Sequence, residues 1–487
     1  MRRSIRATFA TVGLALAALP AAATEAATSK ADRRPPPPNL ILVSSDDHRW
    51  DGLGAAGNPT IQTPHLDRLA NVGVYYSQAT VNVSQCVPVR ASLLTGLAAH
   101  SHGAYSHFYR APEAERPEAF ADLPTLPSQL AAAGYETFLV GKWNLDSDPW
   151  RVGFQRIGTW LQGGGSEYLD PELSRGASRE PVPVPGYTQE IFADEAVAFL
   201  ESDAARARPF FLWLAFTAPH APFGPNPERI QAFYRGIAPE ELRPPGFPDD
   251  VDDNDWLQYA EAVSHLDEQL GRVLAALEAS GLADSTVVAF LGDNGHMMGE
   301  RGVGSRGAAG KVVPYEGSVR IPMILWAPGR QRAHGTSSLA VSSLDLPPTL
   351  LSLARVEAPA SWPGRDLTPT LSDLAAPGFE EAYSEWADDR SDRFGRFAHR
   401  LVRTPTHKLV VWEDAARPDE LYDLIADPHE RTNLDGRPEL EAIEADLRAR
   451  LVRWLERTAD PASGWPKLAA SVAAARSGAR PSPGAIP

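Results

Sequence analysis

The chain has 487 residues, of which 43% are hydrophobic, so it is long enough for two or three typical domains or for one large domain and a smaller one. The formal net charge of -16 argues against non-specific nucleic-acid binding and gives no overall attraction for polyanions, although a local basic pocket would still bind an anion. Cys86 is the only cysteine, which excludes a disulfide within the chain.

The N-terminal segment has the features of an export signal. Three arginines within the first six residues precede an apolar run at 7–19, and small residues at 21–23 offer a cleavage site. This run is too short to span a bilayer comfortably, and no other segment predicts a stable membrane span. We expect a signal peptide at 1–27, by the general or the twin-arginine route, and a proline-rich linker at 28–38. The mature protein is therefore expected in the periplasm or outside the cell.

Short apolar runs alternate with helical patterns along most of the chain. The continuous hydrophobicity of these runs is typical of strands that are buried on both faces. Their alternation with helices predicts an α/β fold with a large, mainly parallel or mixed sheet sandwiched by helices. Polar residues just beyond the strand ends are where a site is expected. The predicted strands are 39–45, 137–140, 210–216, 285–291 and 322–326, and the predicted helices are 126–133, 188–201 and 256–280.

The pattern of the chain changes after about residue 375. Candidate strands at 382–386 and 407–412, with a charged amphipathic helix at 439–455, predict a smaller α+β subdomain. The final segment is rich in Ala, Ser, Gly and Pro, which predicts a flexible tail. The predicted units are a catalytic domain at 39–375, a C-terminal subdomain at 376–470 and a tail at 471–487.

Two pairs of residues with oxygen-bearing side chains follow predicted strands. Asp46 and Asp47 come directly after the first strand, and Asp293 and Asn294 follow the strand at 285–291. Either pair alone is also compatible with a solvated turn or a helix cap. Together they offer four hard oxygen ligands, which suit Ca²⁺ or Mg²⁺ better than zinc. The sequence therefore predicts a divalent-cation site if the two strand ends converge.

Cys86 opens the run CVPVRASLLTG at residues 86–96. A lone cysteine is often an inert, buried thiol. Here Pro88 and Arg90, followed by Leu-Thr-Gly, resemble the signature of type I sulfatases, members of the alkaline phosphatase superfamily. In that family a formylglycine-generating enzyme oxidises the cysteine to formylglycine (3-oxoalanine), and the hydrated aldehyde is the nucleophile. The resemblance therefore implies that Cys86 is the precursor of a catalytic group.

The same resemblance implies an alkaline phosphatase-like fold and a ligand set for one divalent cation, usually calcium and otherwise magnesium. That set is Asp46, Asp47, Asp293, Asn294 and the formylglycine derived from Cys86. Further matching stretches are TPHLDRLA at 63–70 and ELYDL at 420–424. With them the resemblance covers residues 39–457, which is nearly all of the expected mature chain.

Three further side chains occur at the family's spacing. Lys142 lies in GKW, His220 lies in PHAP, and Lys311 precedes VVPYEGSVRIP. Each has an ordinary alternative, a solvated surface lysine or a histidine in a tight loop. By resemblance, Arg90 holds the hydrate and balances the acidic residues, and Lys142 supports the hydrate or the ester. His220 and Lys311 would bind sulfate oxygens, and one of them would protonate the leaving group.

One position departs from the family pattern. Many sulfatases read Gly-Lys-Trp-His-Leu where this chain has Asn144 in place of the histidine. An amide forms hydrogen bonds but does not titrate near neutral pH. The base that eliminates sulfate is therefore open: another histidine such as His102 serves, the pocket is re-specialised, or turnover is slow.

The leading hypothesis is a sulfatase that hydrolyses an aryl or carbohydrate sulfate, or a sulfamate, by attack of a metal-bound formylglycine hydrate. Its partners would be a sulfated small molecule or glycan and the maturation enzyme, with no nucleic acid. One alternative is a phosphate or phosphonate monoester hydrolase of the same superfamily, which Asn294 disfavours because those enzymes typically have histidine there. Another is a catalytically impaired binding protein. The segments 104–120, 144–186 and 223–255 are expected to set specificity, with Trp150 and Trp160 as a candidate sugar- or aryl-binding surface.

Overall fold

The computed structural model describes residues 36–104, 120–244, 247, 253–304, 310–387 and 398–477. The predicted signal peptide and most of the proline-rich linker lie outside these residues, as do residues 478–487 of the predicted tail. Within the described part of the chain, no helix has both the length and the apolarity needed to cross a membrane.

A ten-stranded mixed sheet dominates the fold and confirms the predicted α/β class. Its strands are β1 (Asn39–Ser45), β2 (Val74–Tyr76), β3 (Glu136–Lys142), β4 (Arg156–Leu161), β5 (Glu172–Arg175), β6 (Val182–Pro183), β7 (Phe210–Ala215), β8 (Thr286–Gly292), β9 (Met323–Trp326) and β10 (Gly335–Ser337). Their spatial order is β10-β2-β9-β8-β1-β7-β3-β4-β5-β6. The consecutive strands β8, β1, β7, β3 and β4 are mutually parallel, and antiparallel pairs occur toward both margins.

Hydrophobic cores cover both faces of this sheet. In β1, Leu40 and Leu42 belong to one core, and Ile41 and Val43 belong to the other. Because side chains alternate between faces along a strand, a strand with a core on each face carries an unbroken apolar run, here residues 40–43. The α-helices are α1 (Pro64–Val72), α2 (Cys86–Thr95), α3 (Ala99–His102), α4 (Leu126–Ala132), α5 (Thr188–Glu201), α6 (Ala204–Ala207), α7 (Glu228–Gln231), α8 (Asp253–Ala279), α9 (Glu316–Val319), α10 (Leu346–Leu353), α11 (Glu441–Thr458) and α12 (Pro466–Ser477).

A second, smaller sheet follows in the chain and confirms the predicted α+β subdomain. Its four antiparallel strands are β11 (Ala382–Trp386), β12 (His399–Arg403), β13 (His407–Trp412) and β14 (Glu420–Asp423). Leu451 and Leu455 of α11 pack on this sheet, and so does Leu468 of α12. The helix α12 extends through residues 471–477, for which the sequence predicted a flexible tail. Alanine has the highest intrinsic helix propensity, and Val472 joins the same core.

A buried ionic cluster joins the two sheets' domains. Glu316, the first residue of α9, accepts hydrogen bonds from Arg403 at 2.8 and 3.0 Å and from Lys408 at 3.2 Å. Lys408 also pairs with Glu430, whose carboxylate accepts from the Glu316 backbone N–H at 2.6 Å. Burial alone would raise the pKa of Glu316, but Arg403 and Lys408 hold it below the ordinary value. The subdomain strands β12 and β13 thereby fix the start of α9 in the larger domain.

We predict that Arg403→Met destabilises the protein. The substitution removes the guanidinium while Glu316 stays buried, and breaking a buried ion pair on one side costs about 3–5 kcal/mol. The measurement is the Tm and the urea midpoint of purified wild type and variant.

The matched control is Arg68→Met, because Arg68 pairs with Glu278 where their side chains are 54% and 42% exposed. Exposed pairs contribute about 0.2–1 kcal/mol, so its Tm is expected to stay near that of wild type. Equal stability of the two variants would contradict the structural role of the buried cluster.

Candidate active site

The carboxyl ends of the central parallel strands place the predicted acidic residues side by side. Ser45 at the end of β1 is paired in register with Gly292 at the end of β8. Asp46 and Asp47 therefore follow one strand where Asp293 follows its neighbour. The backbone N–H of Asp47 donates to Asp293 Oδ1 at 3.2 Å, which joins the two strand ends.

The oxygen atoms of this cluster fit a cation. Asp46 Oδ1, Asp47 Oδ2 and Asn294 Oδ1 are buried and have no hydrogen-bond partner among the described residues. Ligand atoms of Asp46, Asp47 and His220 all lie within 4.8 Å of one another. An unsatisfied buried oxygen is unfavourable, and a divalent cation is the partner that hard oxygens prefer. The donor set therefore fits the calcium or magnesium that the resemblance implies.

Each carboxylate in the cluster also contacts one buried cationic side chain. The pairs are Lys142 with Asp46, Lys311 with Asp47 at 2.6 Å, and Arg90 with Asp293 at 2.9 Å. Burial and then the negative charge of Asp46 raise the pKa of Asp293 to about 7. A further cation in the cluster would favour the ionised form of that carboxyl group.

Helix α2 carries Cys86 and Arg90 to the cluster. Cys86 is its first residue and is fully buried, and Lys311 Nζ lies 3.9 Å from the sulfur. Arg90 is four residues later, so it lies on the same helix face. Its guanidinium donates to Asp293 Oδ2 at 2.9 Å and to the Lys142 carbonyl at 2.7 Å. Burial raises the pKa of the Cys86 thiol, so the unmodified residue is a poor nucleophile.

Lys142 is the last residue of β3, beside the end of β7 in the sheet. Gly141 precedes it with a φ of 97°, and a Cβ there would lie 2.0 Å from the Ala215 carbonyl oxygen. Only glycine fits this close approach, which turns the Lys142 ammonium toward Asp46.

His220 lies in a loop that places its ring beside the same cluster. Its Nδ1 is 2.7 Å from the Ala221 carbonyl, which can only accept, so Nδ1 carries a proton. Nε2 lies 3.8 Å from Asp47 Oδ2. The Tyr168 hydroxyl donates to the His220 carbonyl at 2.9 Å and fixes the loop. The ring orientation leaves Nε2 as the atom that faces the acidic residues.

The two candidate positions for the missing base differ. Asn144 is 7% exposed, and its buried Oδ1 has no partner in the described part of the chain. His102 accepts from the Ala104 N–H at Nδ1, at 3.1 Å, and its Nε2 lies 2.9 Å from Ser92 Oγ. Burial lowers the pKa of His102 to about 3. Both ring nitrogens of His102 are engaged, which is typical of a structural histidine.

Arg49 supports the site and was not identified from the sequence. It is fully buried, pairs with Asp51 at 2.8 Å and Glu300 at 3.1 Å, and donates to the His296 carbonyl at 2.9 Å. It thereby ties the segment after Asp47 to the segment after Asn294. Its position two residues beyond the acidic pair was the available sequence signal.

The fold and the cluster define an α/β hydrolytic enzyme of the alkaline phosphatase superfamily, and comparison with known proteins gives the family. A family model described as Sulfatase matches residues 38–356, and one described as N-sulphoglucosamine sulphohydrolase, C-terminal, matches residues 304–457. The chain belongs to the sulfatase family as a type I sulfatase, and it is a sulfuric ester hydrolase.

Two of the similar proteins are named for carbohydrate substrates. The chain is 28% identical to an ulvan-active sulfatase of Formosa agariphila over 86% of this chain and 81% of that protein. It is 26% identical to an N-acetylglucosamine-6-O-sulfatase of Bacteroides thetaiotaomicron over 86% of each. The crystal structure of a putative sulfatase from Bacteroides fragilis superposes with a TM-score of 0.78 and 25% identity, over 90% of this chain and 99% of that one.

We predict that calcium stabilises the metal-free protein. Binding to the folded state alone adds about 2.7 kcal/mol when calcium is at a hundredfold its Kd, so the Tm of EDTA-treated protein should rise on titration. Asp47→Asn removes one charge from the ligand set and should reduce this rise.

Asp446→Asn is the matched control, since Asp446 is 54% exposed and pairs with Arg450 on α11. Its calcium response should equal that of wild type. A wild-type Tm that responds to neither calcium nor magnesium would contradict the cation site.

Proposed function

We propose that this chain hydrolyses a carbohydrate sulfate ester with a formylglycine made from Cys86 and one calcium ion. The ion would be held by Asp46, Asp47, Asp293 and Asn294. The observation that carries the proposal is the position of Lys311, whose Nζ lies 2.6 Å from Asp47 Oδ1 and 3.9 Å from Cys86 Sγ. One cationic side chain thus contacts both the cysteine of the signature and the acidic cluster.

The cation, the formylglycine and the surrounding side chains each supply a different part of the chemistry. When present, the cation supplies Lewis acidity, and the formylglycine hydrate supplies a nucleophilic hydroxyl with a second hydroxyl that permits sulfate release. The protein supplies fixed positive charge where negative charge develops on the sulfate oxygens. Lys142 and Lys311 are at most 2% exposed, so their charges act in a site with little water.

The roles of Arg90 and His220 depend on the contacts that fix their orientation in the site. Arg90 bridges Asp293 and the Lys142 carbonyl, so it fixes α2 and the first turn that carries Cys86. His220 holds its Nδ1 proton on the Ala221 carbonyl, which directs Nε2 toward the ester. A sulfate oxygen and the leaving oxygen only accept hydrogen bonds, so we assign the doubly protonated ring of His220 to donate from Nε2 to one of them.

The carbohydrate substrate is supported by the names of two similar proteins, an ulvan-active sulfatase and an N-acetylglucosamine-6-O-sulfatase. Maturation would require a formylglycine-generating enzyme. The segment at 1–27, with three arginines followed by an apolar run, supports export.

We predict that Cys86 is oxidised in protein purified from its native host. Mass spectrometry of the tryptic peptide Leu69–Arg90 should show the loss of sulfur that accompanies conversion of a thiol to an aldehyde. Cys86→Ser leaves only one hydroxyl and should lower kcat by more than about 10³-fold.

Sulfate and phosphate esters of one phenol, assayed side by side, separate the reaction classes. The proposal requires a higher kcat/KM for the sulfate ester. An unmodified thiol in active enzyme, or preference for the phosphate ester, would overturn it.

We predict that Asn144→His raises kcat. Asn144 has a φ of 53°, a region where Asn and His both occur more often than most residues, so the backbone accepts the change. General base catalysis typically contributes about 10²–10⁴-fold, and we expect at least about a tenfold gain in sulfate release. Asn144→Ala is the control for packing. An unchanged or lower kcat for the histidine variant would show that this position is no longer catalytic.

A further inference from the structure

A cavity of about 490 Å³ opens beside the candidate active site. Residues 162–167, which follow β4, form one wall, and Ser174 of β5 forms another. Ala221 and Pro222, the residues directly after His220, line the side toward the site. The size is in the usual range for small-ligand pockets.

The cavity and the reaction site share the His220 loop. A Cβ on Gly165 would lie 3.3 Å from His220 Cε1, so the cavity wall touches the imidazole itself. Nε2 of the same ring faces Asp47. A group attached to a sulfate held near Nε2 therefore extends toward this cavity.

The expected aromatic surface is not present here. Trp160 is fully buried and packs edge-on against Trp150 with ring centroids 6.5 Å apart. The lining is instead mixed: Gln162, Ser166 and Ser174 are polar residues in it, and Leu161, Pro181, Ala221 and Pro222 are apolar ones. Ser166 Oγ is buried and has no hydrogen-bond partner among the described residues.

The charge of the cavity is negative. Among the described residues that line it, the ionisable side chains are Glu167 and Glu172. Both glutamates are exposed to solvent, so each carboxylate is free to act on a bound group through the water-filled space. An anion in this cavity would be repelled by both carboxylates.

We propose that this cavity binds the sugar that carries the reacting sulfate and selects sugars with no second anionic group. The proposal rests on the carbohydrate sulfatase function above and deepens it. A hydroxyl-rich neutral or amino sugar matches the serine and glutamine lining. A second sulfate or a uronate carboxylate is disfavoured by Glu167 and Glu172.

The test compares sulfate release from matched sugars by formylglycine-containing enzyme. N-acetylglucosamine monosulfated at O3, O4 or O6 is assayed first, and the best of these is then compared with the same sugar bearing one additional sulfate. We expect kcat/KM to be at least about tenfold higher for the monosulfate, which a repulsion of about 1.4 kcal/mol produces.

The double variant Glu167→Gln with Glu172→Gln should reduce this preference about fivefold or more, mainly through the disulfated sugar. Glu201→Gln, an exposed glutamate at the end of α5 outside the cavity, is the control and should keep it. Raised salt should also weaken the preference of wild type for the monosulfated sugar, because dissolved ions screen the repulsion between the two glutamates and the second sulfate.

Equal kcat/KM for the two sugars, or an unchanged preference in the double variant, overturns the inference while the sulfatase function stands. No sulfate release from any monosulfated sugar overturns the proposed carbohydrate function and this inference with it.

Discussion

Three carboxylates buried side by side are the constraint on which the site depends. Asp46, Asp47 and Asp293 are fully buried at the ends of two parallel strands, where their charges repel one another. The register of β1 with β8 leaves no freedom to separate them, because both strands are held on each side by neighbours. Positive charge must therefore be brought to this edge. The fold supplies it from three separate elements, in the middle of α2, at the end of β3 and before α9.

The smaller sheet takes part in this arrangement. Lys311 and Glu316 belong to one segment, and Glu316 is held by Arg403 and Lys408 of the subdomain. A segment fixed at Glu316 has little room to move Lys311 away from Asp47. Burial of an ion pair adds little net stability, but its directional hydrogen bonds define one geometry. The subdomain thus positions a cation that lies in the other domain's site.

The sequence predicted the central elements well for a physical reason. β1 and α5 have the predicted bounds, because burial leaves an unbroken apolar run in the strand and a clear helical period in α5. Strands β2, β4, β5, β6 and β10 of the large sheet were missed. Of these, β2, β6 and β10 have two or three residues, and such short strands depend on their partners in the sheet. The acidic cluster was predictable because each pair directly follows a strand. The orientation of His220 and the engagement of both His102 nitrogens were not, because they depend on contacts made by the folded loops.

Charge also shapes how an anionic substrate reaches this site. The chain has a net charge of -16, so it repels a sulfate ester. At physiological ionic strength, salt reduces the range of this repulsion to roughly 8 Å. Attraction arises only within the buried cluster, where Lys142, Lys311 and a bound cation act at low dielectric. A sulfate that reaches the cluster is held, whereas an anionic group left outside remains in the negative field near Glu167 and Glu172. Discrimination between sugars with one and with two anionic groups then follows from the positions of Glu167 and Glu172.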